Sequence, residues 1–127
     1  MSMATYLSAV NETRKSVLCA RLEDAGGLSG QSRGLLGRDG LDSDYGMLFR
    51  NGRWTPFMWM HMFFMKFAID IVFLDRSDRV VSIDADLRPW RVSSIVIGAG
   101  KALELPAGAA SRSGTVVGDQ ISFQPTA

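Results

Sequence analysis

The sequence predicts an α+β domain, a small and mostly antiparallel β-barrel or sandwich with one short helix. Three observations predict it. Short apolar runs rich in Val, Ile and Phe recur along the chain, segments containing Gly, Pro or Asp separate them, and a single stretch has helical spacing. Many short strands at close spacing favour a barrel or sandwich over a parallel sheet flanked by helices. At 127 residues, 46% hydrophobic and 21% charged, residues 1–127 are expected to form a single domain with its own core. There is no internal repeat or low-complexity tract.

Tyr6 to Val10 and Ser16 to Leu22 are apolar segments around the polar connection Asn11-Glu12-Thr13-Arg14-Lys15, which predicts a first hairpin. From Asp24 to Leu36, Leu28, Leu35 and Leu36 recur at helical intervals and Asp24 is placed to cap, so the helix is expected near residues 24 to 36. Gly26, Gly27, Gly30 and Gly34 oppose it by up to about 1 kcal/mol each. Arg38 to Gly46 reads as a loop into the strand Met47-Leu48-Phe49, and Arg50 to Thr55 as a turn. Ile69 to Leu74 has the β-branched character of a central strand. Asp75-Arg76-Ser77-Asp78 closes it, and Arg79 to Ala85 alternates as its hairpin partner. Val92 to Ile97, Ala102 to Leu105 and Gln120 to Phe123 are expected as further short strands.

A net charge of +1 gives no overall reason to expect nucleic acid or an anionic membrane as partner; a small apolar ligand or a protein segment is expected instead. Cys19 is the only cysteine, so no intrachain disulfide forms and a reducing compartment is allowed. Residues 1–10 lack the basic start and unbroken apolar run of a secretory leader, and a cytoplasmic location is expected. Trp54 to Leu74 is apolar-rich, yet Thr55, Pro56, His61, Lys66 and Asp70 interrupt it. It therefore reads as buried core plus a lined surface, and no membrane span is expected.

Laid out in order, the motifs are Arg33-Gly34-Leu35-Leu36-Gly37-Arg38, Gly46-Met47-Leu48-Phe49, the run from His61 to Asp75, Leu87-Arg88-Pro89-Trp90, Leu103-Glu104-Leu105-Pro106-Ala107-Gly108 and Gly118-Asp119. This series resembles the family known as domain of unknown function 192, or uncharacterised protein family 0127, over about residues 15–124. The resemblance implies a compact β-rich fold and carries no established activity. Members often have an export signal or lipoprotein leader, which the start of this chain does not match. Met62 stands where a small polar residue is expected from the family, and Ala68 where proline is usual.

Candidate chemistry centres on Trp54 to Phe67, where Trp, Phe and Met side chains together make an adaptable apolar surface. Alternation sends Trp59, His61 and Phe63 to one side and Met58, Met60, Met62 and Phe64 to the other, so one apolar face must be covered or form a groove. The leading reading is a non-catalytic binding module for a small apolar ligand or partner segment. Its expected site comprises Trp54, Trp59, His61, Phe63, Lys66 and Asp70, with Arg88 and Glu104 as a polar rim and no cofactor. The alternative from another class is a hydrolase or isomerase using His61, the only histidine, as acid–base oriented by Asp70. A third is copper(I) bound by Met60, His61, Met62 and Met65, beside Met58, since soft thioethers and imidazole suit that ion; zinc lacks enough ligands.

Asp70, inside an apolar strand, requires a donor. Lys66, Arg88 or Arg38 are expected first, and His61 or backbone amides second. Glu104 alternates with Leu103 and Leu105 and is expected on the opposite face. Cys19 reads as an inert small hydrophobe, Lys101 of Gly98-Ala99-Gly100-Lys101 as a solvated lysine outside any phosphate loop, and Gly118-Asp119 as a turn.

Overall fold

Nine strands and one five-residue helix are present among residues 7–27 and 38–125, the part of the chain that the computed structural model describes. In chain order they are β1 (Leu7–Asn11), β2 (Ser16–Gly27), β3 (Tyr45–Arg50), β4 (Phe57–Met58), β5 (Ile69–Leu74), β6 (Val80–Leu87), β7 (Val96–Ile97), β8 (Lys101–Pro106), α1 (Ala109–Ser113) and β9 (Ile121–Pro125). Seven strands form one sheet in the order β6-β5-β8-β3-β2-β1-β9, while β4 and β7 pair separately. Every pairing is antiparallel except β2 with β3. The sheet curls until its outer strands meet at one end, through an Arg79–Gln120 bridge and amides donated by Val80 to Asp119 O (2.8 Å) and by Ile121 to Asp78 O (2.9 Å). The expected α+β architecture is present.

The expected hairpins form. β1 and β2 pair as Val10↔Val17 and Asn11↔Ser16. β5 and β6 pair around a turn in which Asp75 Oδ1 accepts from the amides of Ser77 (2.8 Å) and Arg79 (3.0 Å). The described part of the span expected to be helical, Asp24 to Gly27, is strand. Asp24 to Gly27 continue β2, pairing in parallel with β3 through Asp24↔Leu48 and Gly27↔Arg50; glycine taxes a helix, and ladder hydrogen bonds to β3 satisfy this backbone instead. Residues 28–36 of the expected helix, and Arg33 to Gly37 of the first motif, lie outside the described residues. The helix that is present, α1, is bracketed by Gly108 (φ 94°) and Gly114 (φ 69°), both in the left-handed region that glycine enters without steric cost. Gly46 is fixed by crowding rather than by φ, because a Cβ there would sit 2.7 Å from Leu105 Cδ2 and 3.1 Å from Cys19 Sγ.

Each face of the sheet buries its own core. Leu22, Leu48, Val72, Leu103, Leu105 and Ile121 pack inside the curl together with Ala109 and Ala110 of α1. On the other face, Met47, Phe49, Ile69, Ile71 and Phe73 pack against Met58, Met60, Met62 and Met65. The covered apolar face expected from alternation is thus the methionine face, and the paired segments around β4 and β7 are its cover.

Asp70 points into the curl and is 1% exposed. Its Oδ1 accepts the Asp86 amide (2.9 Å), and its Oδ2 accepts the amides of Gly108 (3.1 Å) and Ala110 (3.0 Å). The cationic partners expected first are not used. Lys66 lies 3.6 Å from Asp39, Arg88 lies 3.7 Å from Asp86, and Arg38 stands over the Tyr45 ring at 5.0 Å. The second expectation, backbone amides, is the one realised: three convergent N–H donors offset the desolvation of a carboxylate without burying a second charge.

Candidate functional site

The cover is a two-stranded ribbon formed by residues 56–62 and 90–98. It pairs Phe57↔Ile97, Met58↔Val96 and His61↔Val92, with amides donated by Gly98 to Pro56 O, Ser93 to Met60 O and Met62 to Arg91 O, each at 2.8 Å. The strand expected over Val92 to Ile97 is regular only at Val96–Ile97, because the Ser93 hydroxyl interrupts the ladder by accepting the Met60 amide (2.8 Å). The ribbon is fastened at one end and near its middle. Asn51 Nδ2 donates to Phe57 O (2.8 Å) and Ala99 O (3.0 Å), and Asp84 accepts from the amide (2.6 Å) and hydroxyl (3.0 Å) of Ser94.

Successive side chains point to opposite faces of such a ribbon. Met58, Met60 and Met62 are buried beneath it, whereas Phe57, Trp59, His61 and Phe63 stand outward and exposed. The outward rings touch in series. Trp59 and His61 lie 6.3 Å apart, His61 stacks on Phe63 (4.7 Å, 21°), Phe63 approaches Trp90 (6.3 Å), and Trp90 meets Phe64 (4.7 Å). Val92, Ile95 and Ile97 extend the apolar surface on the second strand, Ile97 with 81% exposure. Phe64 (φ 65°) and Trp90 (φ 69°) both adopt the left-handed region, uncommon for bulky side chains. Phe64 departs from the simple alternation, which sends it inward with the methionines.

Of the expected site residues, the structure brings together Trp59, His61 and Phe63. Trp54 is exposed in the turn that leads into the ribbon, with Arg53 5.0 Å over its ring, and Lys66 and Arg88 are exposed. Asp70 is separated from this group by the sheet itself. The His61–Asp70 arrangement is therefore not formed: all of Asp70's bonds come from amides, and His61 Nδ1 accepts the Phe63 amide (3.3 Å). The copper set is divided in the same way, with Met60 and Met62 beneath the ribbon and His61 above it. Glu104 faces away from Leu103 and Leu105 as expected, but forms no rim with Arg88 or Lys66. It is 7% exposed beneath the ribbon, opposite Met47 and Ile71, and burial pushes its carboxyl up to about 8. Phe64, Trp90, Ile95 and Ile97 were not expected at the site, although Leu87-Arg88-Pro89-Trp90 and the apolar run to Ile97 carried the signal.

Other expected features resolve as structure. Cys19 is buried, and desolvation pushes its thiol up to about 11, which suits an inert hydrophobe. Lys101 is half-buried and paired with Asp78 rather than solvated. A cleft of about 200 Å3 is lined by Arg50, Asn51, Arg76, Gly100 and Lys101. A second, of about 250 Å3, lies where the Tyr45 hydroxyl donates to Glu23 (2.6 Å); burial and that carboxylate push the phenol up to about 12. Neither cleft includes a ring of the ribbon. Among the described residues, no group of three or more His, Cys, Asp or Glu side chains is placed to hold a metal, and no helix is long and apolar enough to cross a membrane.

The fold recurs in solved structures. A protein of unknown function from Novosphingobium aromaticivorans superposes with a TM-score of 0.76 at 24% identity, covering 92% of this chain and 83% of that one. A Sinorhizobium meliloti protein described as a candidate transcription regulator superposes with a TM-score of 0.78 at 23% identity, covering 94% and 92%. At these identities the likeness is one of fold. A UPF0127 protein of Thermococcus sibiricus is 38% identical over 65 residues, 51% of this chain but only 42% of that relative's length. The DUF192 family model, described as Uncharacterized ACR, matches residues 9–123, and with that match over nearly its whole length the chain belongs to the DUF192 family.

Proposed function

We propose that this protein is a non-catalytic binding module whose outward ribbon face docks an apolar segment of a partner protein. The observation that carries the reading is the row of exposed rings, in which Phe64 and Trp90 sit at positive φ against each other. Exposed aromatics on strained backbone contribute little to a core, and such strain gathers at functional sites. Nine large apolar side chains from Trp54 to Ile97 are exposed here. Together they present on the order of 1,000 Å2, well above the few hundred of an ordinary monomer patch and close to the ~800 Å2 per partner of a standard protein interface. A small apolar ligand is the narrower form of the same reading. A ribbon face with its rings set in an outward row suits a segment better, because small ligands need concave burial.

Amide chemical shifts followed while a panel of apolar dodecapeptides and a set of small aromatic and aliphatic compounds are titrated in will test it. Perturbations are expected at residues 57–64 and 90–97, with peptides stronger than small compounds. Perturbations confined to the Arg50–Arg76 cleft or to the Asp70–α1 region would refute the docking face.

A further inference from the structure

The segments that form the docking face contribute cations and no carboxylates; the acids beside it, Asp39, Asp84 and Asp86, come from outside those segments. Residues 53–67 and 88–100, which supply the ribbon and its flanking turns, contain Arg53, Lys66, Arg88 and Arg91 and no aspartate or glutamate, in a chain whose net charge is only +1. All four cations are exposed. The contacts of Lys66 with Asp39 (3.6 Å) and of Arg88 with Asp86 (3.7 Å) are long and solvated, a kind worth little. Arg53 lies over the Trp54 ring, and among the described residues neither Arg53 nor Arg91 has a carboxylate partner.

We infer that the segment docking on this face is acidic as well as apolar, with carboxylates spaced between large apolar side chains. The apolar side chains meet the ring row while the carboxylates reach Arg53, Arg88 and Arg91; this rests on the docking reading above. A second copy of the chain fits poorly, because face-to-face association brings like charges together. The composition favours a protein over an anionic lipid surface: three of the four cations are arginine beside Trp and Phe, the pairing enriched where protein interfaces concentrate their binding energy. Arginine also offers a bidentate fork to a carboxylate.

The test uses three blocked dodecapeptides: glutamate alternating with leucine and phenylalanine, the same peptide with lysine for glutamate, and the glutamate peptide with serine for its apolar residues. Phosphatidylcholine vesicles containing phosphatidylserine are run alongside. Intrinsic fluorescence is the readout, since Trp54, Trp59 and Trp90 are the only tryptophans and all are exposed. The glutamate–apolar peptide is expected to bind at least about tenfold more tightly than the lysine peptide at low salt, with the gap closing as salt rises. The double variant Arg88→Glu/Arg91→Glu is expected to reverse the preference. Equal binding of the glutamate and lysine peptides would overturn the acidic inference and leave apolar docking standing. Undiminished binding of the glutamate peptide by Phe63→Ser/Trp90→Ser would overturn both, as would no response to any peptide. A response to vesicles without one to peptides, or dimerisation lost in Phe63→Ser/Trp90→Ser, would overturn it in favour of a lipid surface or a second copy.

Discussion

Asp70 and Glu104 are carboxyl groups on adjacent strands, and they meet burial in opposite ways. Asp70 gathers three amide donors, two of them at the start of α1, and serves as a brace between β5, β6 and that helix. Asp70→Asn sets an NH2 group against at least one of those N–H donors. It is expected to cost about 1–3 kcal/mol in denaturant unfolding and to leave the ribbon's binding unchanged, because the sheet lies between them. Glu104 has no hydrogen-bond donor among the described residues, and desolvation raises its carboxyl from 4.5 to about 8. Between those values the folded protein holds a proton that the unfolded chain has released, so stability falls as pH rises from about 4.5 to about 8 and is level above. Glu104→Gln removes that slope. Its thermal midpoint is expected to exceed the parent's near pH 9, on the order of 2–4 kcal/mol in unfolding free energy, and to converge with it near pH 4.5. A midpoint difference independent of pH would show that Glu104 is not held protonated.

The ribbon shows how far alternation in the sequence reaches. The division of Met58, Met60 and Met62 from Trp59, His61 and Phe63 follows from period two and was legible; which of the two faces is covered was not. Nor was Phe64, because a residue at φ 65° breaks the alternation and no local residue type announces that turn. Asp70 was legible as a buried, bonded carboxylate, and backbone amides were among the partners expected for it, but which amides was not legible: Gly108 and Ala110 lie about forty residues away, and a backbone amide leaves no mark in residue identity. The position of the helix was hidden for a related reason. Leucine spacing points to residues 24–36, of which Asp24 to Gly27 continue β2 and the rest lie outside the described residues, while α1 spans five residues and is too short to display a period, leaving its flanking glycines as the only cue. Phe64→Gly tests whether the strained aromatic is kept for stability. Removing its ring from Trp90 forfeits about 0.5–1.5 kcal/mol of aromatic pairing, which is matched by relief of left-handed strain, about 1–2 kcal/mol. The unfolding free energy is therefore expected to stay within about 1 kcal/mol of the parent, with peptide binding weakened. A larger fall in stability would make Phe64 a folding residue.

At the scale of the molecule, the carboxylate braces and the proposed docking face lie on separate surfaces. The curl is held near its closing end by Asp119, whose Oδ2 accepts from Asn11 (3.0 Å), Arg14 (3.1 Å) and the Val116 amide (3.0 Å), tying the approach to β9 to the β1–β2 turn. Burial opposes its ionisation, but these three donors prevail and hold it down at about 2. The stability it contributes is thus present above the ordinary carboxylate range and falls away as pH drops toward about 2. Asp119→Ala is expected to cost about 1–3 kcal/mol at neutral pH and to make the acid side of the stability profile shallower than the parent's, again without effect on the ribbon. The central claim, that the ring row serves binding rather than folding, is tested most directly by one paired measurement on Phe63→Ser/Trp90→Ser: urea unfolding and affinity for an apolar peptide in the same buffer. The account predicts an unfolding free energy within about 1 kcal/mol of the parent, the range of surface substitutions, together with at least about tenfold weaker binding. A variant that unfolds several kcal/mol more easily, or one that binds as the parent does, would contradict it.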